Sequence, residues 1–408
     1  MESYAVVGGG LAGLTAANAL ADAGVPVTLF EQSERLGGRA ITQEIHQDGR
    51  SYQMNLGPHA LYCGGVAMQT LREWNIPFSG SRPDVRSGAC MIHGGEKYPF
   101  FANLTGLMRN PLFTFREKLE LTRILRLATT PQEPEEPSME QWIMRHARSE
   151  RVAAYVRAAT RVSTYAADFE NLSAGHALAQ IRSALTRGVL YLDGGWQTLV
   201  NGLAERARSR GVEIRNRQPI ESLNELGASR VILAIPPAAV ERITGVKLPG
   251  LRTSRMACLQ MGLRGLKEDA AGFALGLDQP LYLSVHSRSA KIASRDAAVV
   301  HAGKYLKEGE GNDVRNRAEL EAFADLSIPG WRDQADVVQF LPNMIVTHGM
   351  AACAGRPEVD AVGKKLGSNH VAIAGDWVGN DSMLADAAVS SGLRAAGAIQ
   401  MRQAHVAA

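Results

Sequence analysis

Residues 4–13 read YAVVGGGLAG, an apolar run followed directly by closely spaced glycines. The apolar run predicts a buried strand, and the alanine-rich stretch 11–24 predicts an amphipathic helix. Gly8 permits the tight turn between them, Gly10 lets the backbone approach a pyrophosphate, and Gly13 lets the helix pack closely on the strand. The stretch therefore predicts a dinucleotide site whose phosphates lie at the positive N-terminus of the helix.

The next predicted strand ends in an acidic residue. Residues 25–30 read VPVTLF, and Glu31 follows directly. A carboxylate at this place accepts hydrogen bonds from the 2′ and 3′ hydroxyls of an adenosine ribose and disfavours a 2′-phosphate. NADP is therefore not the expected cofactor. The glycine pattern alone does not separate NAD from FAD, because both kinds of protein share it.

Two further segments carry a family resemblance. Glu31 is followed by the sequence GGR at 37–39, and residues 371–377 read VAIAGDW, a predicted strand ending in Gly-Asp before an alanine-rich helix. Together with the first glycine cluster, these segments resemble the flavoprotein superfamily of amine oxidases, protoporphyrinogen oxidases and phytoene desaturases. The resemblance implies FAD as the cofactor, with Arg39 beside the diphosphate and Asp376 at the ribitol or diphosphate.

The residue pattern and the resemblance together imply a set of FAD-binding residues. The start of the last helix is expected to face the flavin, where its positive end favours the negative charge that builds up on reduction. The expected FAD-binding residues are Gly8, Gly10, Leu11, Ala12, Gly13, Glu31, Gln32, Gly37, Gly38, Arg39, Gly57, Pro58, His59, Ile220, Gly375, Asp376, Leu384 and Ala385.

The catalytic residues stay unknown at this stage. The candidates near the flavin are His59, Trp377 and Leu384, and Tyr62 and His348 are further candidates for the cavity wall. For His59 two interpretations stay open, a position beside the isoalloxazine ring or a local hydrogen bond that fixes a turn. For Ile220 the alternatives are packing on the adenine side and ordinary core packing.

The chain length of 408 residues exceeds an average domain. We predict an α/β fold, in which a Rossmann-type FAD-binding domain carries an inserted α+β substrate domain. The FAD-binding domain is expected to comprise residues 1–75, 187–255 and 341–408. The substrate domain is expected to comprise residues 76–186 and 256–340, and its strands are expected to cover the flavin.

Composition and cysteine spacing argue against a nucleic-acid-binding protein and against a metalloprotein. The net charge of +3 and the scattered basic residues argue against a nucleic-acid partner. The four cysteines form no CxxC pair, and no metal-binding motif is present, so no metal is expected. The cysteine usage and the lack of an apolar leader or spanning stretch predict a cytoplasmic protein.

The expected function is an FAD-dependent oxidoreductase that transfers hydride from an apolar or partly apolar small molecule to flavin N5. Residues 276–280 and 328–331 resemble phytoene-dehydrogenase-like proteins more than amine oxidases. The lysine that amine oxidases commonly place near the flavin is missing from 256–263, Leu384 occupies the position of their aromatic residue, and Lys304 is expected on the surface. An amine oxidase, a flavin-dependent isomerase and a protein with purely structural FAD remain alternatives. The electron acceptor, oxygen or a quinone, stays open.

Residues 100–127 mix large apolar side chains with arginines. This mixture suits peripheral contact with an anionic membrane surface, as the resemblance to lipid-handling desaturases also implies. The pattern favours the alternative of an amphipathic helix that covers the substrate pocket and keeps its arginines in water.

Overall fold

A computed structural model describes residues 3–85, 88–130 and 137–404. Small parts of the predicted domain segments, residues 1–2, 86–87, 131–136 and 405–408, lie outside the described residues. The strands in chain order are β1 (Tyr4–Val7), β2 (Val27–Phe30), β3 (Thr42–Gln47), β4 (Arg50–Asn55), β5 (Leu61–Tyr62), β6 (Gly80–Ser81), β7 (Ala89–His93), β8 (Glu96–Pro99), β9 (Val189–Leu192), β10 (Glu213–Arg215), β11 (Arg230–Leu233), β12 (Ser254–Leu263), β13 (Phe273–Gly276), β14 (Leu281–Val285), β15 (Ala298–Leu306), β16 (Ala335–Thr347) and β17 (Val371–Ile373).

The helices are distributed between and around these strands. Within the described ranges, no helix is both long enough and apolar enough to cross a membrane. In chain order they are α1 (Leu11–Asp22), α2 (Val66–Glu73), α3 (Leu104–Arg109), α4 (Phe115–Thr129), α5 (Met139–His146), α6 (Glu150–Thr164), α7 (Ala174–Thr186), α8 (Gln197–Ser209), α9 (Pro237–Thr244), α10 (Asp313–Ser327), α11 (Trp331–Gln334), α12 (Ala361–Lys365) and α13 (Leu384–Ala404).

A parallel sheet with the order β10-β2-β1-β11-β17 forms the centre of the nucleotide-binding part. Val7 pairs with both Phe30 and Leu233, and Leu233 pairs with Ile373. These neighbouring strands are parallel, so their carboxyl ends meet at one edge of the sheet. Segments that are far apart in sequence are therefore joined at the edge where ligands of such sheets bind.

A second, mixed sheet with the order β16-β12-β15-β14-β13-β7-β8 lies in the other part of the molecule. Its pairs are antiparallel except β13 with β7. The predicted domain boundary at 340/341 falls inside β16, because this strand pairs with β12 as far as Thr347. We therefore propose moving that boundary to the end of β16, and the division into two domains otherwise stays a proposal.

Helices α3 to α7 pack against one end of the mixed sheet. Two of them begin at the capping boxes that the sequence contains. Thr114 caps α4 with Glu117, and Ser138 caps α5 with Gln141. Each pair satisfies two backbone N–H groups that the helix would otherwise leave without partners. A core of buried aromatic and aliphatic side chains joins these helices to β12 and β13.

Candidate functional site

A cavity of about 600 Å³ runs from the carboxyl edge of the parallel sheet to the mixed sheet. Every residue predicted to bind FAD borders this cavity except Gly13 and Gly57. A Cβ on Gly13 would stand 1.8 Å from the Gly8 carbonyl oxygen, so this glycine serves the close packing of α1 on the strand. Gly57 has a positive φ of 81°, and a Cβ there would stand 2.4 Å from Cε of Met344.

The two glycine clusters lie side by side at one wall of the cavity. The Gly37 amide N–H donates to the Gly9 carbonyl oxygen over 2.8 Å. A Cβ on Gly10 would meet no atom closer than the Gly37 carbonyl oxygen at 3.9 Å, so the space in front of Gly10 is open. Gly10 is also the N-cap of α1, and no side chain caps that helix end. The first backbone N–H groups of α1 are therefore available to an anion.

Glu31 has a defined place at the end of β2. The Gly9 amide donates to its Oε2 over 2.7 Å, and the Ser33 amide donates to its Oε1 over 2.8 Å. These bonds hold a buried carboxylate against the glycine turn. Each carboxylate oxygen can accept more than one hydrogen bond, so the group keeps acceptor capacity toward the cavity. Gln32, which follows it in the chain, borders the same end of the cavity.

The far side of this end is formed by β11 and the segments around it. Ile220 is buried in the core that surrounds the parallel sheet, and it also borders the cavity. The interpretation of Ile220 as a core residue is therefore confirmed, and its packing on the adenine stays a prediction. Ala238 and Ala239, in the first turn of α9, border the same cavity. These apolar side chains form walls suited to a flat aromatic base.

Arg39 and Asp376 form an ion pair in the middle of the cavity wall. Nη1 and Nη2 of Arg39 lie 2.9 and 2.8 Å from the two carboxylate oxygens of Asp376. Arg39 Nη1 also donates to the Val346 carbonyl oxygen over 2.6 Å, and the His348 amide donates to Asp376 over 3.2 Å. Burial acts to raise the pKa of Asp376, but the charge of Arg39 and its hydrogen bonds outweigh burial and lower the pKa. The carboxyl group is therefore ionised at neutral pH.

His59 makes a local turn contact and also borders the cavity, and its position beside the isoalloxazine ring stays a prediction. Its Nδ1 lies 3.1 Å from the Gly57 carbonyl oxygen, which is the local turn contact. Its ring also borders the cavity and lies 5.0 Å from the ring of Trp196, centre to centre. Burial lowers the pKa of His59. The imidazole is therefore neutral at pH 7, with Pro58 beside it on the same wall.

The start of α13 closes the other end of the cavity. Leu384 and Ala385 border the cavity as predicted, and Leu384 has a positive φ of 55° that a leucine rarely adopts. Trp377 also borders the cavity, but it is 1% exposed and its indole N–H donates to the Ile235 carbonyl oxygen over 3.2 Å. The Gly375 amide donates to Ser391 Oγ over 2.9 Å, which ties the end of β17 to α13.

The sequence did not indicate several residues at this end. Tyr62 and His348 border the cavity as anticipated, but so do Tyr165, Met256, Met344 and Asp386. Met256 and Met344 lie on β12 and β16, and only the pairing of these strands brings them over the nucleotide-binding part. For Asp386 the available signal was an acidic residue in the first turn of the last helix.

Lys304 contradicts the expectation of a surface position. It is 7% exposed, and its Nζ lies 2.7 Å from Glu319 and 2.9 Å from Asn316. The reason is that β15 is an inner strand of the mixed sheet and α10 packs over it, which buries the lysine with its partners. Among the described residues that border the cavity, none is a lysine.

The residues present fit an extended FAD molecule. The open space at Gly10 and the uncapped N-terminus of α1 suit a diphosphate, and a Cβ at Gly10 would enter that space. Glu31 stands at one end with acceptor oxygens, and the first turn of α13 stands at the other. These features define the class of a Rossmann-type flavoprotein.

Comparison with known proteins identifies the family. The model of the family described as flavin containing amine oxidoreductase matches residues 11–243, which is more than half of the 408 residues. The chain belongs to this family. Its cofactor is FAD, and the prediction of an α/β fold with a Rossmann-type FAD-binding domain is confirmed.

Individual relatives are similar to this chain over segments of different length. An L-amino-acid oxidase from Naja atra is 55% identical over 56 residues, which are 14% of this chain and 11% of that protein. A carotenoid 3,4-desaturase from Haloarcula japonica is 51% identical over 57 residues, again 14% of this chain and 11% of the relative. The structure of an oxidoreductase from Methanosarcina mazei superposes with a TM-score of 0.76 at 15% identity, covering 96% of this chain and 99% of the other. That similarity shows a common fold.

Proposed function

We propose that this protein is an FAD-dependent oxidoreductase acting on an apolar or partly apolar small molecule. The observation that carries the proposal is the continuous cavity between the glycine clusters and the start of α13. Bound FAD would supply the redox chemistry, acceptance of a hydride from a substrate C–H bond at N5 and later release of the electrons to oxygen or a quinone. The family match supports the oxidoreductase class.

The side chains of the chain itself would position the substrate and exclude water. Met256, Met344, Tyr165 and Leu384 present mostly apolar surface at the end of the cavity away from Glu31. Such walls favour an apolar substrate body. The backbone N–H groups in the first turn of α13 would stabilise negative charge that develops nearby. Neutral His59 would offer either a hydrogen-bond donor or an acceptor.

The binding of FAD and the choice of substrate are tested together by anaerobic titration. The purified protein is expected to be yellow, and a conjugated polyene is expected to bleach its visible flavin absorbance. Bleaching by primary amines alone would contradict the apolar substrate and favour the amine oxidase. A flavin that neither class reduces would point to an isomerase or to structural FAD. A colourless protein that cannot be reconstituted with FAD would contradict the whole proposal.

A finer proposal concerns peripheral contact with an anionic membrane through residues 100–127. Helices α3 and α4 expose four large apolar side chains, and Leu104, Phe115 and Leu119 are each more than half exposed. Lys118 Nζ donates to the Met108 carbonyl oxygen over 2.8 Å, which links the two helices. We call this the α3–α4 surface. The same two helices carry four exposed arginines, Arg109, Arg116, Arg123 and Arg126. Exposed apolar side chains combined with positive charge suit an anionic lipid surface.

Vesicle sedimentation tests this contact. The protein is expected to sediment with vesicles that contain phosphatidylserine and less with phosphatidylcholine alone. The double change Phe115→Ser and Leu119→Ser should reduce sedimentation. Leu185→Ser, at a comparably exposed leucine on α7, is the matched control and should not. Equal loss in both variants, or no binding by the wild type, would favour the alternative of a helical cover whose arginines lie in water.

A further inference from the structure

Asp386 is a buried carboxyl group in the wall of the substrate end of the cavity. It lies in the first turn of α13, two residues after Leu384, and it is 8% exposed. It borders the cavity together with Tyr62, Tyr165 and Met256. Nothing in the binding of the diphosphate or ribose requires an acidic residue at this end. The group therefore calls for a separate explanation.

One oxygen of Asp386 has a protein partner. The Ala67 amide donates to Oδ1 over 2.8 Å. Ala67 lies in the first turn of α2, and the N-cap of that helix, Gly65, provides no side-chain cap. Asp386 thus caps a neighbouring helix from outside, and the positive end of α2 stabilises its charge. A purely structural role, the capping of α2, requires only this hydrogen bond to Oδ1.

The second oxygen has no such partner. In the described part of the chain, no residue donates a hydrogen bond to Oδ2, and no lysine, arginine or histidine forms an ion pair with Asp386. Gly65 makes the position possible, since a Cβ there would stand 2.0 Å from Oδ2. A largely buried carboxylate with a free acceptor oxygen gains from a donor that reaches that oxygen. The adjoining cavity is where such a donor can come from.

We propose that Asp386 forms a subsite that accepts a hydrogen bond from a donor group, a hydroxyl or an ammonium, on an otherwise apolar substrate. This inference rests on the proposed function and deepens it by stating the chemistry of one end of the substrate. The apolar walls around Asp386 receive the body of the molecule, and the carboxylate selects the orientation that brings the donor to Oδ2. The residue is a specificity determinant, because a molecule without the donor displaces water from Oδ2 and does not replace the hydrogen bond that this oxygen can accept.

The test measures binding to the FAD-loaded protein by perturbation of its flavin absorbance. The probes are benzylamine, benzyl alcohol and benzyl methyl ether, which share an aromatic body and differ in the donor. The wild type is expected to bind the alcohol, the amine or both about 10- to 100-fold more tightly than the ether. Preference for the amine alone indicates a cationic donor, and preference for both indicates any donor. Equal binding of all three probes, or binding of none, overturns the inference while leaving the flavin and the proposed function intact.

Variants assign the preference to the residue. Asp386→Asn keeps an oxygen that can accept from Ala67 and replaces Oδ2 by a donor, so the preference should disappear while flavin content and ether binding are retained. Asp386→Ser is the second variant if the first does not fold. Asp381→Asn, at an exposed carboxylate that pairs with Arg394, is the matched control and should keep the preference. A preference that survives both changes at Asp386 overturns the inference, and a protein that takes up no FAD contradicts the proposed function instead.

Discussion

Nη2 of Arg39 and Oδ1 of Asp376 lie 2.8 Å apart although the two residues are 337 positions apart in the chain. This pair joins the second glycine cluster to the carboxyl end of β17. The sequence predicted that each residue would contact FAD, but it did not predict their pairing with each other. The ion pair links the two segments of the cavity wall that carry Arg39 and Asp376. Asp376 is buried, whereas Arg39 is partly exposed, so part of the guanidinium group remains accessible beside the cavity.

The first prediction concerns this pair. Asp376→Asn is expected to weaken FAD binding by about 10-fold or more, because Arg39 loses a charged partner that orients it. Flavin fluorescence on release measures the dissociation constant. Asp296→Asn, which breaks an exposed pair with Arg50, is the control and should leave the constant unchanged. Unaltered affinity in Asp376→Asn would show that the pair does not organise the site.

The second prediction compares two glycines of the first cluster. Gly10→Ala should fold normally, because the nearest protein atom to its Cβ would be the Gly37 carbonyl oxygen, 3.9 Å away. The Cβ would instead point into the open space that we assign to the ligand. The substitution should still lower FAD affinity by about 10- to 100-fold, since the methyl group occupies that space. Gly13→Ala should instead lower the stability of the apoprotein by about 1–3 kcal/mol or more, because its Cβ would stand 1.8 Å from a backbone oxygen.

Thermal unfolding with and without FAD separates these effects. Gly10→Ala is expected to keep the melting temperature of the apoprotein and to lose the shift that FAD produces. Gly13→Ala is expected to lower the melting temperature in both conditions. An apoprotein of Gly10→Ala that is as unstable as Gly13→Ala would contradict the assignment of open ligand space at Gly10.

The third prediction concerns the pH dependence of stability at Asp386. Burial raises the pKa of Asp386 to about 6, against the lowering effect of the Ala67 hydrogen bond, from an ordinary value of 3.8. The folded state therefore holds the proton more tightly than the unfolded state, and ionisation costs stability as the pH rises from about 4 to 6. Above pH 6, ionisation of Asp386 lowers the free energy of unfolding by its full amount, about 3 kcal/mol.

Comparison with Asp386→Asn isolates this effect, because other groups titrate alike in both proteins. The variant is expected to be more stable than the wild type at pH 8 by about 3 kcal/mol, and the difference should shrink as the pH approaches 4. Urea unfolding across this range provides the free energies. A difference that does not change with pH would argue that the carboxyl group is not destabilised by burial.

The fourth prediction concerns Lys304. Because Lys304 does not border the cavity, Lys304→Met should leave the rate of flavin reduction by any active substrate unchanged. It should lower the free energy of unfolding by about 1–3 kcal/mol, since Asn316 and Glu319 lose a buried partner. Stopped-flow absorbance and urea unfolding measure the two quantities. A large loss of reduction rate in a stably folded variant would instead connect this lysine to the flavin.

Local sequence predicted the strand and the helix on either side of the first glycine cluster. The strand at Tyr4–Val7 and the helix at Leu11–Asp22 depend on interactions between residues that are near one another in the chain. The same holds for the glycine turn, whose conformation follows from its own residues. Such features need no knowledge of distant segments.

The residues at the other end of the cavity could not be predicted from local sequence, because tertiary structure brings them there. Met256 and Met344 reach the cavity only because β12 and β16 pair, and Lys304 is buried only because α10 covers β15.

The sequence by itself thus determined the fold class, because short-range glycine and strand patterns specify the Rossmann unit, and its resemblance to the flavoprotein superfamily predicted FAD and the segments that bind it. Only the tertiary structure decided the pairing of Arg39 with Asp376, the contact of Asp386 with Ala67 and the burial of Lys304. These contacts join residues that lie far apart in the chain or on separate elements. No local pattern specifies their distance, burial or charge environment.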